Sequence, residues 1–200
     1  MKRFLLVVDM QNDFIVPERG TLVVPGALDI ISNINTFIHS REYDVILACQ
    51  DWHPVNHKSF YTEWNGKNPF DQVEMPYGIQ TLWPVHTVQG SWGAEIHNGI
   101  DQTKFKFLIR KGMNPEIDSY SAFFENDKIT ATGLGSLIPR NAQLDCVGVA
   151  TDFCLGSTAL DALKFCNNVR VLAKGIAGIT EESSAFMLEE LKKSGVTIVT

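Results

Sequence analysis

The sequence lacks long hydrophobic runs and any excess of positive charge. Its longest apolar runs are of the Leu5–Val8 kind, far short of the ~20 residues that span a bilayer. Only five apolar residues follow Met1–Arg3 before Asp9, too few for a signal peptide. The 17 lysines and arginines are outnumbered by 23 acidic residues and form no long basic run, so no nucleic-acid partner is expected. We therefore expect a cytoplasmic protein without membrane contact.

Cysteine is scarce, and none of the four cysteines forms a C-x-x-C pair. Without an export signal, a disulfide framework is not expected. Cys49, Cys146 and Cys166 lie among apolar neighbours, which is typical of small core residues. Cys154 has a different setting and is considered below.

The remaining composition is that of an ordinary globular chain. Hydrophobic residues make up 44% and charged residues 20% of the 200 positions, which excludes disordered, collagen-like and coiled-coil classes. A chain of this length needs no disulfide or metal merely to fold. No repeat or linker interrupts it, so we expect a single domain over residues 1–200.

Short β-branched apolar segments alternate with segments of helical periodicity. Their continuous apolar character is typical of parallel strands covered on both faces. The alternation predicts a doubly wound, three-layer α/β/α fold with a mainly parallel sheet of about six strands. The predicted strands are Arg3–Asp9, Asp44–Gln50, Lys104–Lys111, Gln143–Ala150, Asn168–Lys174 and Val196–Thr200, and the predicted helices are Gly26–His39, Phe153–Cys166 and Glu181–Ser194.

A long segment at about 52–103 breaks this alternation between the second and third predicted strands. It contains all four tryptophans and shows no strong periodicity. Long irregular segments in compact domains are usually functional or disordered, and the aromatic content argues against disorder. We interpret it as an insertion that builds a binding site.

Reactive side chains follow four of the predicted strands. Asp9 ends the first strand, Asp51 and His53 follow the second, Lys111 ends the third, and Cys154 follows the fourth where a helix begins. Ligands bind outside the carboxyl ends of parallel strands, so these side chains are expected at one rim. The helix N-terminus and Lys111 should favour a thiolate, which predicts Cys154 as a nucleophile.

The Asp51-x-His53 pair lies on one side of a strand end, and His86 can return from the insertion to join it. Such a set suits zinc, iron or manganese and leaves positions open for substrate or water. His57 and Glu63 are further candidates that could extend it. A slot for a flat ring could be formed by the nearby aromatic side chains of Phe14, Trp83 and Tyr120.

Taken together, these residues resemble a known family. In order, the motifs are Asp9-Met10-Gln11-Asn12-Asp13-Phe14, Asp51-Trp52-His53-Pro54, Trp83-Pro84-x-His86, Lys111-Gly112, Asp118-Ser119-Tyr120-Ser121-Ala122-Phe123 and Gly148-Val149-Ala150-Thr151-Asp152-Phe153-Cys154. From residue 3 to the C-terminus the chain resembles the nicotinamidases, within the isochorismatase-like cysteine hydrolases. Asp51-x-His53 with His86 is similar to the metal-containing branch.

The resemblance implies an amidohydrolase that converts nicotinamide and water into nicotinate and ammonia. It implies that Cys154 is the nucleophile, Asp9 the general base and later acid, and Lys111 the third catalytic residue. It further implies an oxyanion hole formed by the N–H groups of Cys154 and Ala150, the latter after a cis Val149–Ala150 peptide.

The resemblance also implies one divalent metal ion, with zinc the first expectation and iron or manganese alternatives. Its ligands would be Asp51, His53 and His86. The insert between Phe60 and Leu82 is longer than in compact bacterial members, so the fourth ligand stays open. The positions that match the ring pocket of the family are Phe14, Leu22, Trp83, Tyr120 and Val149.

Other functions stay open at this point. The same thiol chemistry could act on another small amide, a ureide or a carbamoyl compound. A metal-bound hydroxide could attack directly, in which case Cys154 would be dispensable. The fold could also be a catalytically silent scaffold that binds a small ligand. The small-molecule partner could be joined by a second copy of the chain, since exposed aromatics in the insertion leave room for a homo-oligomer.

Overall fold

The computed structural model describes all 200 residues, Met1–Thr200, and contains eight strands in two sheets. Six of them form one sheet in the order β5-β2-β1-β6-β7-β8, and all of its pairings are parallel. This confirms the predicted fold class, with strand ends shifted by up to three residues. The strands are β1 (Arg3–Val8), β2 (Val45–Asp51), β3 (Gln72–Met75), β4 (Gly78–Thr81), β5 (Phe107–Lys111), β6 (Gln143–Gly148), β7 (Asn168–Ile176) and β8 (Thr197–Val199).

Helices cover both faces of the main sheet. Along β1, Leu6 points into one apolar cluster and Leu5 into a second one, as the period-two rule of a strand requires. The first cluster includes Leu191 of the helix Glu181–Ser194, and the second includes Ile34 of the helix Ile31–His39. The sheet is therefore the middle layer of three. The helices are α1 (Asn12–Ile15), α2 (Ile31–His39), α3 (Gly156–Ala162) and α4 (Glu181–Ser194).

The helix predictions differ in accuracy for local reasons. α4 matches its prediction because the Thr180 side chain accepts a hydrogen bond from the Ser183 N–H and Gly195 ends the helix at φ 101°. α2 begins only at Ile31, because Gly26 adopts φ 76° and the chain turns until residue 30. The predicted helix 153–166 begins earlier, as a wide π-type turn at Thr151–Leu155, and ends earlier, with α3.

The segment at about 52–103 packs over the carboxyl ends of the main sheet. It contains an antiparallel hairpin, β3 and β4, which the sequence pattern did not predict. Isolated bridges tie Phe60 to Trp83 and His53 to Val88, so the segment is anchored next to the end of β2. None of the helices has the length and apolar character needed to cross a membrane.

Candidate active site

Four neighbouring strands of the main sheet bring reactive side chains to one rim. Asp9 directly follows β1, Asp51 ends β2, Lys111 ends β5, and Cys154 lies in the helical turn after β6. They adjoin a cavity of about 430 Å³ that is partly open to solvent. Its wall is formed by Asp9, Phe14, Leu22, Val24, Asp51, Trp83, His86, Asp118, Tyr120, Val149, Ala150, Phe153, Cys154 and Ile179.

Lys111 lies behind this wall and joins the other groups. Its side chain is fully buried, and Nζ lies 2.9 Å from Asp9 Oδ2 and 3.4 Å from Cys154 Sγ. The same nitrogen donates to the Ser119 carbonyl at 2.8 Å and to Asp51 Oδ1. Burial by itself would lower the pKa of Lys111, but the adjacent Asp51 and Asp9 carboxylates outweigh burial and raise this pKa well above its ordinary value. Lys111 is therefore a buried cation.

Asp9 occupies a special backbone position at the end of β1. Its φ of 51° lies in the left-handed region, and its N–H donates to the Cys49 carbonyl at 3.2 Å. The carboxylate is 1% exposed, and ligand atoms of Asp9, Asp51 and Cys154 all lie within 4.8 Å of one another. Burial raises the pKa of Asp9, while Lys111 acts to lower it. A group in this setting can both accept and return a proton.

Cys154 faces the cavity from the turn that follows β6. The Val149–Ala150 peptide just before this turn is cis, as the family resemblance implied. The N–H of Ala150 has no acceptor within the protein, and Ala150 lines the cavity. Burial raises the pKa of the Cys154 thiol well above its ordinary value, and the opposing effect of Lys111 is smaller. Lys111 acts in the direction expected from the sequence and burial acts against it, so a resting thiolate stays a prediction.

The three predicted metal ligands are buried and meet beside the cavity. The Nε2 atoms of His53 and His86 lie 3.7 Å and 3.9 Å from Asp51 Oδ2. The Nδ1 atom of His53 is 2.9 Å from the Gly112 carbonyl, and that of His86 is 2.7 Å from the Pro84 carbonyl. Carbonyls only accept hydrogen bonds, so Nδ1 carries a proton in both rings and Nε2 is the ring nitrogen next to Asp51.

This donor set fits a divalent metal ion. All three ligand atoms lie within 4.8 Å of one another, and two imidazoles with one carboxylate are a common set of protein ligands. Burial and the adjacent His53 lower the pKa of His86 to about 4, so its imidazole is neutral near pH 7. A neutral imidazole is the form that binds metal.

His57 and Glu63, the two candidates for a further metal ligand, lie in different surroundings. The His57 ring lies 4.2 Å from the His53 ring, and its Nδ1 is 2.7 Å from Ser59 Oγ. His57 groups with His53 and Asp118 rather than with the three ligands above, and burial lowers its pKa to about 4. Glu63 pairs with Lys58 at 3.6 Å and belongs to no donor cluster. The structure therefore brings His57 near the set and leaves Glu63 outside it.

The part of the cavity that could hold a flat ring is built from packed aromatic side chains. The Phe153 ring lies 4.8 Å from the Trp83 ring and 5.6 Å from the Tyr120 ring, edge to face. The Tyr120 hydroxyl accepts hydrogen bonds from Trp83 Nε1 at 3.2 Å and from Gln80 Nε2 at 3.1 Å. The cavity is lined by all five of the predicted pocket residues, namely Phe14, Leu22, Trp83, Tyr120 and Val149.

Four further lining residues were not singled out from the sequence. Phe153 lies next to Cys154, and Ile179 follows β7, so the strand-end rule applied to a fifth strand would have found Ile179. Asp118 lies in the quoted Asp118–Phe123 motif but had no role assigned. Val24, in the loop before α2, carries no signal beyond its apolar character.

Comparison with known proteins gives a consistent result over the whole chain. The family model described as "Isochorismatase domain" matches residues 3–200. A nicotinamidase of Acinetobacter baylyi is 43% identical over 195 residues, which cover 96% of this chain and 89% of that protein. The nicotinamidase of Escherichia coli is 37% identical, with 99% of this chain and 94% of that protein covered.

Solved structures agree with these sequence matches. The "Acinetobacter baumanii nicotinamidase pyrazinamidease" superposes with a TM-score of 0.93 at 38% identity, covering 100% of this chain and 96% of the other. The yeast nicotinamidase bound to the inhibitor nicotinaldehyde gives 0.92 at 30% identity, covering 98% and 99%. The pyrazinamidase of Pyrococcus horikoshii in complex with zinc gives 0.77 at 34% identity, covering 100% and 99%.

Proposed function

The chain belongs to the isochorismatase family, and we propose that its amide hydrolysis proceeds through a thioester on Cys154. The protein is an amidohydrolase that converts nicotinamide and water into nicotinate and ammonia, a step of NAD salvage. One observation carries the mechanistic proposal. Lys111 Nζ lies 3.4 Å from Cys154 Sγ and 2.9 Å from Asp9 Oδ2, so thiol, carboxylate and ammonium form one buried cluster at the cavity.

In the first half of the reaction, Asp9 takes the proton of the Cys154 thiol as sulfur attacks the amide carbonyl. The new C–S bond pushes the carbonyl electrons onto oxygen and gives a tetrahedral oxyanion. Asp9 then delivers its proton to the amide nitrogen, the C–N bond breaks, and ammonia leaves. The raised pKa of Asp9 suits this return of the proton.

In the second half, water takes the place of ammonia. Asp9, again a carboxylate, removes a proton from water as the water oxygen attacks the thioester carbonyl. Collapse of this second tetrahedral species breaks the C–S bond, and the sulfur regains its proton from Asp9. The products are the free thiol and nicotinic acid, which releases its proton to solvent to give nicotinate, so the protein returns to its starting state.

Lys111 and the backbone stabilise the charges that appear during these steps. The Lys111 ammonium lies next to both Cys154 Sγ and Asp9, so it favours negative charge on either group as the proton moves between them. The Ala150 N–H has no other acceptor, and with the Cys154 N–H it forms the proposed oxyanion hole. Donors that are already aimed need no reorganisation when the oxyanion forms.

Asp51, His53 and His86 are the proposed ligands of one metal ion. When bound, a divalent ion supplies a Lewis-acidic centre that holds the pyridine nitrogen of the substrate and can polarise water. We propose zinc, in keeping with the zinc complex of the Pyrococcus horikoshii relative, although iron and manganese accept the same ligands. Metal analysis of the purified protein tests this choice, and His57 is the remaining candidate for a fourth ligand.

The aromatic side chains around the cavity hold the flat pyridine ring. Phe14, Trp83 and Tyr120 present apolar surface and ring edges, and Leu22 and Val149 complete the slot. A ring held by the wall and by its nitrogen places the carboxamide against Cys154. This orientation turns the attack into an intramolecular event.

The experiment that tests the proposal is ammonia release from nicotinamide by the wild type and Cys154→Ala, with metal content measured in both. We expect release by the wild type only, and a nicotinoyl adduct on Cys154 in quenched samples by intact mass. Substantial turnover by Cys154→Ala would instead favour direct attack by metal-bound hydroxide. Full activity on a ureide or carbamoyl compound and none on nicotinamide would show that the substrate belongs to that class instead. Absence of any turnover by folded, metal-loaded protein would indicate a silent binding scaffold.

We further propose a cytoplasmic location, which is supported by the presence of four free cysteines and no disulfide. We also propose that the chain assembles into a homo-oligomer. Cell fractionation tests the location, and light scattering on the purified protein tests the assembly.

A further inference from the structure

One buried thiol that the reaction does not use contacts the proposed general base. Cys49 lies in β2, paired with Val8 of β1, and is completely buried. Its Sγ lies 3.0 Å from Asp9 Oδ1, and its carbonyl accepts the Asp9 N–H at 3.2 Å. Cys49 therefore holds both the backbone and the side chain of Asp9 at the point where β1 ends.

The two carboxylate oxygens of Asp9 have different surroundings. Oδ1 accepts the Cys49 thiol hydrogen. Oδ2 is buried and receives no hydrogen bond of acceptable geometry, although Lys111 Nζ lies 2.9 Å away. A buried oxygen next to a cation and free of hydrogen bonds is available to accept a proton.

We propose that Cys49 is a positioning residue, whose thiol fixes Asp9 through Oδ1 so that Oδ2 exchanges the proton with Cys154. This inference rests on the proposed roles of Asp9 and Cys154. Cys49 does not line the cavity, so it acts through Asp9 and makes no contact with the substrate. Without the S–H donor, the carboxyl group is free to rotate about its terminal bond, and the proton acceptor loses its alignment.

Two pairs of variants, each differing by a hydroxyl group, separate hydrogen bonding from packing at this position. Cys49→Val and Cys49→Thr have nearly the same shape, but only threonine carries a donor. Cys49→Ala and Cys49→Ser form a smaller pair with the same difference. A packing role would sort the four variants by size, whereas a positioning role sorts them by the presence of a hydroxyl group.

Steady-state hydrolysis of nicotinamide by the four variants is the test. We expect kcat to fall about tenfold or more in the alanine and valine variants, with KM nearly unchanged. The serine and threonine variants should stay within a few-fold of the wild type in kcat. Cys146→Ala is the matched control, because Cys146 is an equally buried thiol of β6 packed in the apolar core. It should leave kcat unchanged.

The outcomes distinguish this inference from the proposed function. If the alanine and valine variants keep wild-type kcat while Asp9→Asn loses it, the role of Cys49 is overturned and the mechanism stands. If Asp9→Asn itself keeps wild-type kcat, the proposed mechanism fails and the role of Cys49 fails with it. Circular dichroism on each variant verifies folding, and the two pairs ensure that one unstable variant does not decide the result.

Discussion

The ammonium nitrogen of Lys111 lies 3.4 Å from the sulfur of Cys154, at the centre of a cluster that also contains two carboxylates. Lys111 comes from β5 and Cys154 from the turn after β6, and two strands of the sheet separate β5 from β6. The side chain of Lys111 thus reaches across the ends of β2 and β1. Its charge compensates the two buried carboxylates, and we propose that it also serves the reaction.

Replacing Lys111 with methionine should lower both stability and activity. Asp9 and Asp51 would lose the cation that compensates their burial, which costs about 3–5 kcal/mol in the free energy of unfolding. Urea denaturation measures this loss, and ammonia release measures activity. Lys193→Met is the control, since Lys193 pairs with Glu190 on the exposed face of α4 and should have little effect. An unchanged urea midpoint for Lys111→Met would contradict the charge balance described here.

Asp9→Asn tests the proton transfer directly. Asparagine keeps the size of the side chain but cannot accept the thiol proton, so kcat should fall by about 10²–10⁴. The acyl adduct on Cys154 should also be missing from quenched samples, because the first half of the reaction is blocked. Asp29→Asn serves as the control, because Asp29 is exposed and does not line the cavity. Retention of more than a tenth of kcat by Asp9→Asn would assign the base to another group.

Gly112→Ala should reduce metal content. Gly112 adopts φ 64°, and a Cβ at this position would collide with the ring of His53. The shifted ring would lose both its hydrogen bond to the Gly112 carbonyl and its aim toward Asp51. We expect about 10–100-fold weaker metal binding, measured by competition with a chromogenic chelator.

Gly133→Ala is the matched control for this experiment. Gly133 adopts φ 93°, but its Cβ would meet no atom within 4 Å. Both variants therefore have a left-handed alanine, at a cost of about 1 kcal/mol in stability, and only one disturbs His53. Equal metal affinity in the two variants would rule out the proposed orientation of His53.

Asp161 gives a prediction about pH and stability. Burial would raise its pKa, but hydrogen bonds from Lys164 at 2.9 Å and Lys128 at 3.0 Å lower it below the ordinary value. A depressed folded-state pKa stabilises the protein above the unfolded pKa of about 3.9, and this stabilisation disappears as the pH falls through the folded value. Asp161→Asn should therefore be less stable than the wild type at pH 7, and the difference should shrink below about pH 4.

Urea denaturation at several pH values between 7 and 3 measures this effect. Asp29→Asn provides the comparison, because Asp29 is exposed and contacts no cation. A difference between wild type and Asp161→Asn that stays constant down to pH 3 would show that the two lysines do not stabilise the carboxylate.

Much of the fold and the site could be predicted from the sequence because both follow from short-range patterns. The continuous apolar runs identify the six parallel strands, and the rule that sites lie at strand ends brings together Asp9, Asp51, Lys111 and Cys154. The same rule would have found Ile179 if it had been extended to β7. Nothing comparable marks the β3–β4 hairpin, whose four-residue strands are too short for a clear alternation.

The electrostatic state of the site could not be read from the sequence. Local sequence places Cys154 at a helix start near a lysine, which favours a thiolate. Burial acts in the opposite direction and raises the pKa of the thiol, and burial depends on how the insertion packs over the sheet. The contact between Cys49 and Asp9 is equally hidden, because the two residues are 40 positions apart and meet only through strand pairing.

The position of Lys111 on the outermost strand has a consequence for the working enzyme. β5 pairs with β2 alone, and its Phe107 and Leu108 side chains are 44% and 43% exposed. Edge segments of this kind open locally at a lower free energy than the interior of a sheet. An opening of this kind would withdraw the Lys111 ammonium while Asp9, after β1, and Cys154, after β6, stay in place. If Lys111 has its proposed role, the fraction of competent molecules should fall as this strand frays, before the protein as a whole unfolds.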